Sequence, residues 1–185
     1  MKLVRSIVSI AVALAATAGI AAAALQDGTK APDFTLQAAQ GGQTFTFSLA
    51  DALKKGPVVL YFYPAAFTKG CTIEAHDFAD AIDRYKAYGA TVIGVSHDPI
   101  DKLQKFSVSE CRSKFAVAAD TDQTVEKEYD AILPQDSQYA NRTSYVIAPD
   151  GTILYSYTNL DPSLHVQNTL DALKVWQSSH PSHRS

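Results

Sequence analysis

Residues 58–89, VVLYFYPAAFTKGCTIEAHDFADAIDRYKAYG, decide the fold. Val58 to Tyr63 is an unbroken apolar run rich in β-formers, which suits a central strand buried on both faces. Pro64 ends it. From Thr72 to Tyr88 the period becomes helical: Phe78, Ile82 and Tyr85 share one face, and Gly89 stands where a helix stops. A strand followed by a short loop and a helix sets Cys71 at the helix start, beyond the carboxyl end of the strand. In open α/β sheets that crevice is where ligands bind.

The same alternation extends in both directions. Thr91 to Val95 is a second strand. Asp98-Pro99 has the form of an N-cap with proline in the first helical position, opening a helix that reaches Phe106. Phe115 to Ala119 is a short strand and Thr124 to Tyr129 a short helix. Ser144 to Ala148 and Ile153 to Tyr157 flank Pro149-Asp150-Gly151, a hairpin signal. Asp161-Pro162 opens a last helix with Val166, Leu170 and Leu173 on its core face. On the N-terminal side, Pro32 to Leu36 and Thr44 to Phe47 flank Gly41-Gly42. Ser48 to Lys55 is a short helix capped by Ser48 and stopped by Gly56. Alternating βα units imply parallel strands, and the late hairpin adds an antiparallel edge. The expected fold class is α/β: a thioredoxin-like mixed β-sheet flanked by helices, with an N-terminal β-hairpin extension.

The chain has 185 residues and a formal charge of −3, without a basic block, which argues against a nucleic-acid partner. Lys2 and Arg5 precede an apolar run from Ile7 to Ile20, and Ala21 to Ala24 are small. That order is a secretory signal peptide over residues 1–24, cleaved near Ala23 or Ala24. The run falls short of the roughly 20 residues of a membrane span, the alternative being an uncleaved anchor. The expectation is an exported protein, periplasmic or secreted, with no membrane attachment after cleavage. Residues 25–178 then form one domain and 179–185 a flexible tail, in which His180 and His183 are solvated.

Two cysteines, Cys71 and Cys111, allow a single intramolecular bridge, and an exported protein can keep one as a structural staple. Cys71 has a second reading. Unpaired N–H groups and partial positive charge at a helix start favour thiolate and can hold an oxyanion. Thr68 offers a hydroxyl to the thiolate or to a substrate oxygen, and Pro64 stiffens the loop and shields the sulfur. A buried, inert thiol is the competing reading from position alone.

Pro64, Thr68 and Cys71 match the Pro-x-x-x-Thr-x-x-Cys pattern of peroxiredoxins. The string FYPAAFTKGCTIEA, with APDFTL before it and VIGVS and NRTSYVIAPDG after it, resembles the bacterioferritin-comigratory or Q-type branch of these AhpC/TSA-like thiol peroxidases. The resemblance spans nearly the whole chain beyond the leader. It implies an enzyme reducing hydrogen peroxide and organic hydroperoxides through a sulfenic acid and then a disulfide. It implies no cofactor or metal, a thioredoxin-like or other thiol reductant as partner, and often a monomer. It also implies that Arg142, just before a strand of the late hairpin, serves the thiol. Sheet geometry agrees, because a 144–148 strand antiparallel to 58–63 begins beside the end of its neighbour; a surface charge is the bland alternative. Asn141-Arg142-Thr143 also fits a glycosylation sequon, a weak match. In the family the glutamate at Glu74 orients the arginine; otherwise Glu74 is a favourable acid in a first helical turn.

The pattern breaks at one place. Many Q-type members carry a resolving cysteine five residues after the first, where this chain has His76. His76 is expected to be solvated or locally bonded rather than a catalytic base. Cys111 is the resolving candidate, with an inert thiol and a permanent staple as alternatives. A bridge needs Cα atoms within about 7 Å, which requires the first turn after Cys71 to unwind. A different function class also fits the fold: an exported copper-binding or copper-delivery protein using Cys71, His76 and His97. The closely spaced cysteine pair usual there is absent, and so is the Cys-x-x-Cys of a thiol–disulfide oxidoreductase.

Overall fold

The computed structural model describes residues 24–180. The leader expected over 1–24, apart from Ala24, and His183 of the expected tail lie outside them. Seven strands build one mixed sheet: β1 (Thr35–Gln40), β2 (Gln43–Ser48), β3 (Val58–Phe62), β4 (Thr91–Ser96), β5 (Ala116–Ala119), β6 (Thr143–Ile147) and β7 (Ile153–Thr158). Their order is β2-β1-β5-β4-β3-β6-β7. β3, β4 and β5 run parallel, and β6 and β7 continue antiparallel from β3. The N-terminal hairpin adds to the far edge, β1 pairing antiparallel with β5. This is the expected thioredoxin-like arrangement with its hairpin extension.

The helices are α1 (Leu49–Leu53), α2 (Lys69–Ala87), α3 (Ile100–Ser109), α4 (Thr124–Glu128) and α5 (His165–Ser179). Strand β3 shows why its sequence is apolar throughout. Val59 and Tyr61 face one core with Phe78 and Ile82 of α2, Leu103 of α3 and Leu170 of α5. Val58, Leu60 and Phe62 face the other, with Leu49 of α1 and Val125 of α4. A strand covered on both faces has no position for a polar side chain. Tyr61 stacks on Phe78 at 4.4 Å between ring centroids and lies flat over Gly94, where an added Cβ would fall 2.7 Å from the ring.

Local readings fail at three helix starts. α2 begins at Lys69, not Thr72, because the preceding loop has already turned. Phe67 takes a left-handed φ of 68°, Thr68 is the extended N-cap, and the first helical bond runs from Thr72 N–H to the Thr68 carbonyl. Cys71 therefore sits inside the first turn. Asp98 does not cap α3; Pro99 holds the cap position, and the Asp98 carboxylate turns inward. Asp161-Pro162 opens a 3-10 turn, Pro162–Leu164, and α5 proper starts only at His165.

Candidate active site

The register of β3 against β6 pairs Phe62 with Thr143. Arg142 therefore projects just past the end of β3, where the chain leads through Pro64 to α2. Its guanidinium is 4% exposed and spends its donors in three directions. Nε donates to the Leu160 carbonyl at 2.9 Å, Nη1 donates to Oε2 of Glu74, and Nη2 points at the Cys71 sulfur at 3.5 Å. Three separate partners fix the planar group, so its charge is delivered to one place. Burial works against the Arg142 charge, but Glu74 and Cys71 beside it outweigh that and hold its pKa above the ordinary value.

Cys71 is only 1% exposed and carries no disulfide. Gly70, one residue before it, makes room for the arginine: a Cβ there would stand 3.0 Å from Nη2. Thr68 departs from expectation in detail. Its hydroxyl donates to the Ala65 carbonyl at 2.9 Å rather than to the sulfur. That leaves its oxygen lone pairs as acceptors for an incoming O–H.

The loop itself is anchored by a residue that local sequence reading missed. Asp98 is 3% exposed. Its Oδ2 accepts from the Ala66 N–H at 2.6 Å and from the Ser96 hydroxyl at 2.9 Å, while Oδ1 accepts from Lys102 Nζ at 2.6 Å. The ends of β3 and β4 and the start of α3 thus meet at one carboxylate.

Behind Arg142 lies a second buried layer. Glu74 Oε1 has no hydrogen-bond partner and lies 3.7 Å from Nδ1 of His165, whose side chain is wholly buried. His165 Nε2 meets the Asn159 carbonyl at 2.8 Å, and Nδ1 meets the Ser144 hydroxyl at 2.8 Å. Burial raises Glu74 to about 8, against the pull of Arg142, and lowers His165 to about 4. The only sequence signal for His165 is a histidine three residues after Pro162, in the segment that Asp161-Pro162 opens.

Cys111 lies just past the end of α3, fully buried in the same core cluster as Cys71. Burial, with Glu110 adding to it, pushes its thiol far above the usual range. Both cysteines are free, so the structure holds no staple between them. The copper ligand set does not assemble. His76 Nε2 pairs with Glu110 at 3.0 Å, and the His97 ring packs edge-on against Tyr139. Among the described residues, no group of three or more His, Cys, Asp or Glu side chains is placed to hold a metal.

Comparison with known proteins points one way. The AhpC/TSA family model matches residues 28–156. Peroxiredoxin Q of wheat (Triticum aestivum), a chloroplastic protein, is 35% identical over 161 residues, covering 86% of this chain and 72% of its own. The crystal structure of peroxidoxin BcpB from Mycobacterium tuberculosis superposes with a TM-score of 0.73 at 29% identity, over 82% of this chain and 97% of its own. Peroxiredoxin Q of Xanthomonas campestris gives a TM-score of 0.65 at 25% identity, over 76% and 90% of the two chains.

Proposed function

The chain belongs to the AhpC/TSA family and is a thiol-dependent peroxidase, and on that premise we propose that Cys71 is the thiol that meets the peroxide, served by Arg142, Glu74, Thr68 and Pro64. The observation that carries this assignment is the 3.5 Å approach of Arg142 Nη2 to the Cys71 sulfur inside the first turn of α2. A guanidinium and the free N–H groups of a helix start both set positive charge beside that sulfur.

The thiolate attacks the outer oxygen of ROOH, an S–O bond forms and the O–O bond breaks. The peroxide gains two electrons, and the leaving RO⁻ takes a proton from solvent to become water or an alcohol. Arg142 and the free N–H groups of the first turn carry the charge that develops on that oxygen. Cys71 becomes a sulfenic acid. The Cys111 thiol then attacks its sulfur, an S–S bond forms and water leaves. Two thiols of a reductant, thioredoxin-like or of another type, restore both cysteines by exchange. Both thiols are buried, and closing the bridge goes with opening of the first turn of α2 and the end of α3.

The leader pattern of residues 2–24 supports action outside the cytoplasm, and the Q-type resemblance supports a monomer. The experiment is mass spectrometry of the pre-reduced protein before and after one equivalent of hydrogen peroxide, beside Cys71→Ser and Cys111→Ser. Loss of two protons in the parent, with sulfenic acid trapped on Cys71 in Cys111→Ser, is the expected result. Peroxide reaction no faster than that of free cysteine would remove Cys71 from this role. Sulfenic acid in the parent without a bridge would remove Cys111 and leave resolution to an external thiol.

A further inference from the structure

The parallel part of the sheet has two ends, and Cys71 serves only one. β4 ends at Ser96 on the Cys71 side and begins with Thr91 on the other. At that far end the N-terminal hairpin parts from the sheet. Its ladder with β5 stops at Ala39 opposite Val117, so Gln40 and Ala116 are not paired with each other. The gap is a slot of about 500 Å³ between the hairpin, α1, the end of α2 and the starts of β4 and β5. That volume lies in the range of small-molecule sites.

The lining divides by chemistry. Ile82 of α2, Val92 of β4 and Phe115 before β5 form the floor and are nearly fully buried. Phe45 of β2 stands beside them with 41% of its surface exposed. Lys55 after α1, Lys86 of α2 and Lys114 before β5 lie on the rim. Three separate elements thus bring a cation to one apolar slot, on a chain whose net charge is −3. The rim acid Asp51 is held by Lys54 at 2.7 Å, which leaves Lys55 to another anion. Lys86 meets Asp83 at a loose 3.7 Å, and Lys114 spends one hydrogen on the Ala79 carbonyl at 3.1 Å. An ammonium has three donors, so each keeps some to spare.

The geometry points to a second ligand site on this protein, for a medium-chain alkyl carboxylate: the chain lies on Ile82, Val92 and Phe115, and the carboxylate sits among the three ammonium groups. The floor offers nothing to a purely polar anion, and an uncharged hydrocarbon leaves the lysines unused. A molecule with both parts engages both, and lysine stems can follow apolar surface while their heads turn to the charge. The site is separate from the thiol chemistry. Lys86 is 15 residues beyond Cys71 on α2, about 22 Å along the helix.

The test is binding of sodium octanoate to the pre-reduced full chain, followed by ¹H–¹⁵N spectra, beside hexanoate, octanol and the double variant Lys55→Gln with Lys86→Gln. Saturable shifts are expected at the amides of Ile82, Val92 and Phe115. Octanoate should bind about tenfold more tightly than hexanoate, because it buries two further methylenes. It should bind at least about fivefold more tightly than octanol. The double variant should lose about fivefold for octanoate and nothing for octanol. Equal binding of octanol and octanoate would mean that the lysines only complement the carbonyl ends of α1 and α2, and would overturn the inference. Shifts centred elsewhere, or none that saturate, would overturn it as well. The comparison of the three ligands on the parent chain needs no variant to fold. None of these measurements involves peroxide, so their failure would leave the role of Cys71 untouched.

Discussion

His76 Nε2 lies 3.0 Å from Glu110 Oε2, which ties the position five residues after Cys71 to the residue directly before Cys111. The tie is one of three. Arg112 pairs with Asp80, and Lys114 Nζ donates to the Ala79 carbonyl at 3.1 Å. Each residue flanking Cys111 is thus pinned to α2, the helix whose first turn carries Cys71. The segment is also strained, since Arg112 and Ser113 hold left-handed φ values of 50° and 58°.

Loosening this clamp should speed the second step and leave the first alone. A partly exposed side-chain pair of this kind is worth about 0.2–1 kcal/mol, so Glu110→Gln is expected to raise the rate of disulfide closure by about 1.5- to 5-fold. The rate of sulfenic acid formation at Cys71 should stay within error. Quenched-flow mass spectrometry separates the two steps. Slower closure in Glu110→Gln would mean that the clamp guides Cys111 to its target rather than restraining it.

Gly70→Ala separates stability from activity. Alanine is favoured over glycine in a helix by up to about 1 kcal/mol, so the variant should melt no lower than the parent. Yet its Cβ would stand 3.0 Å from Arg142 Nη2 and push the guanidinium off the sulfur. The expected outcome is an unchanged or raised melting temperature with a peroxide rate constant about tenfold lower, in line with the sensitivity of positioned groups to small displacements. A rate equal to the parent's would show that Arg142 can deliver its charge from a shifted position.

Asp98→Ala tests the loop anchor. It leaves the buried N–H of Ala66 without an acceptor, at about 1–3 kcal/mol by the usual penalty for an unpaired buried donor. Urea unfolding reads that loss directly. The residue before Phe67 would also be freed, so the peroxide rate should fall as well. A stability loss with an unaltered rate would make Asp98 a purely structural tie.

The anchor also shows where local reading of a sequence ends. Val58 to Phe62 could be placed because burial on both faces dictates every side chain of the strand. Arg142 could be placed because the family resemblance names an arginine just before that strand, and antiparallel register agrees with it. Asp98-Pro99 satisfies the local chemistry of a helix start, yet its carboxylate serves an N–H 32 positions earlier in the chain. α2 starts three residues earlier than its pattern suggests because of the left-handed Phe67, which no propensity favours. His165 reaches Glu74 only because α5 packs against α2, a contact between positions 91 apart in sequence. Local pattern and the family resemblance named Cys71 and Arg142 as candidates; the carboxylate anchor and the buried histidine depend on tertiary neighbours alone.

Stability should itself report the buried carboxyls. Glu74 keeps its proton to about pH 8 in the fold but releases it near 4.5 when unfolded, and burial places Glu126 at about 8 in the same way. Across that window the native state binds more protons, so each group's contribution falls as pH rises. His165 runs opposite: burial drops it to about 4 from 6.5, so its contribution grows with pH until about 6.5 and is then constant. Between pH 4.5 and 6.5 the histidine offsets one of the two acids, and the decline is shallow. From 6.5 to 8 both acids act unopposed, and each contributes a slope of up to about 1.4 kcal/mol per pH unit. Urea unfolding at pH 5, 6.5 and 8 should therefore show the steeper fall in the upper interval. Glu74→Gln and Glu126→Gln should each remove about half of it, and a parent chain as stable at pH 8 as at 6.5 would mean that both carboxyls are ionised throughout.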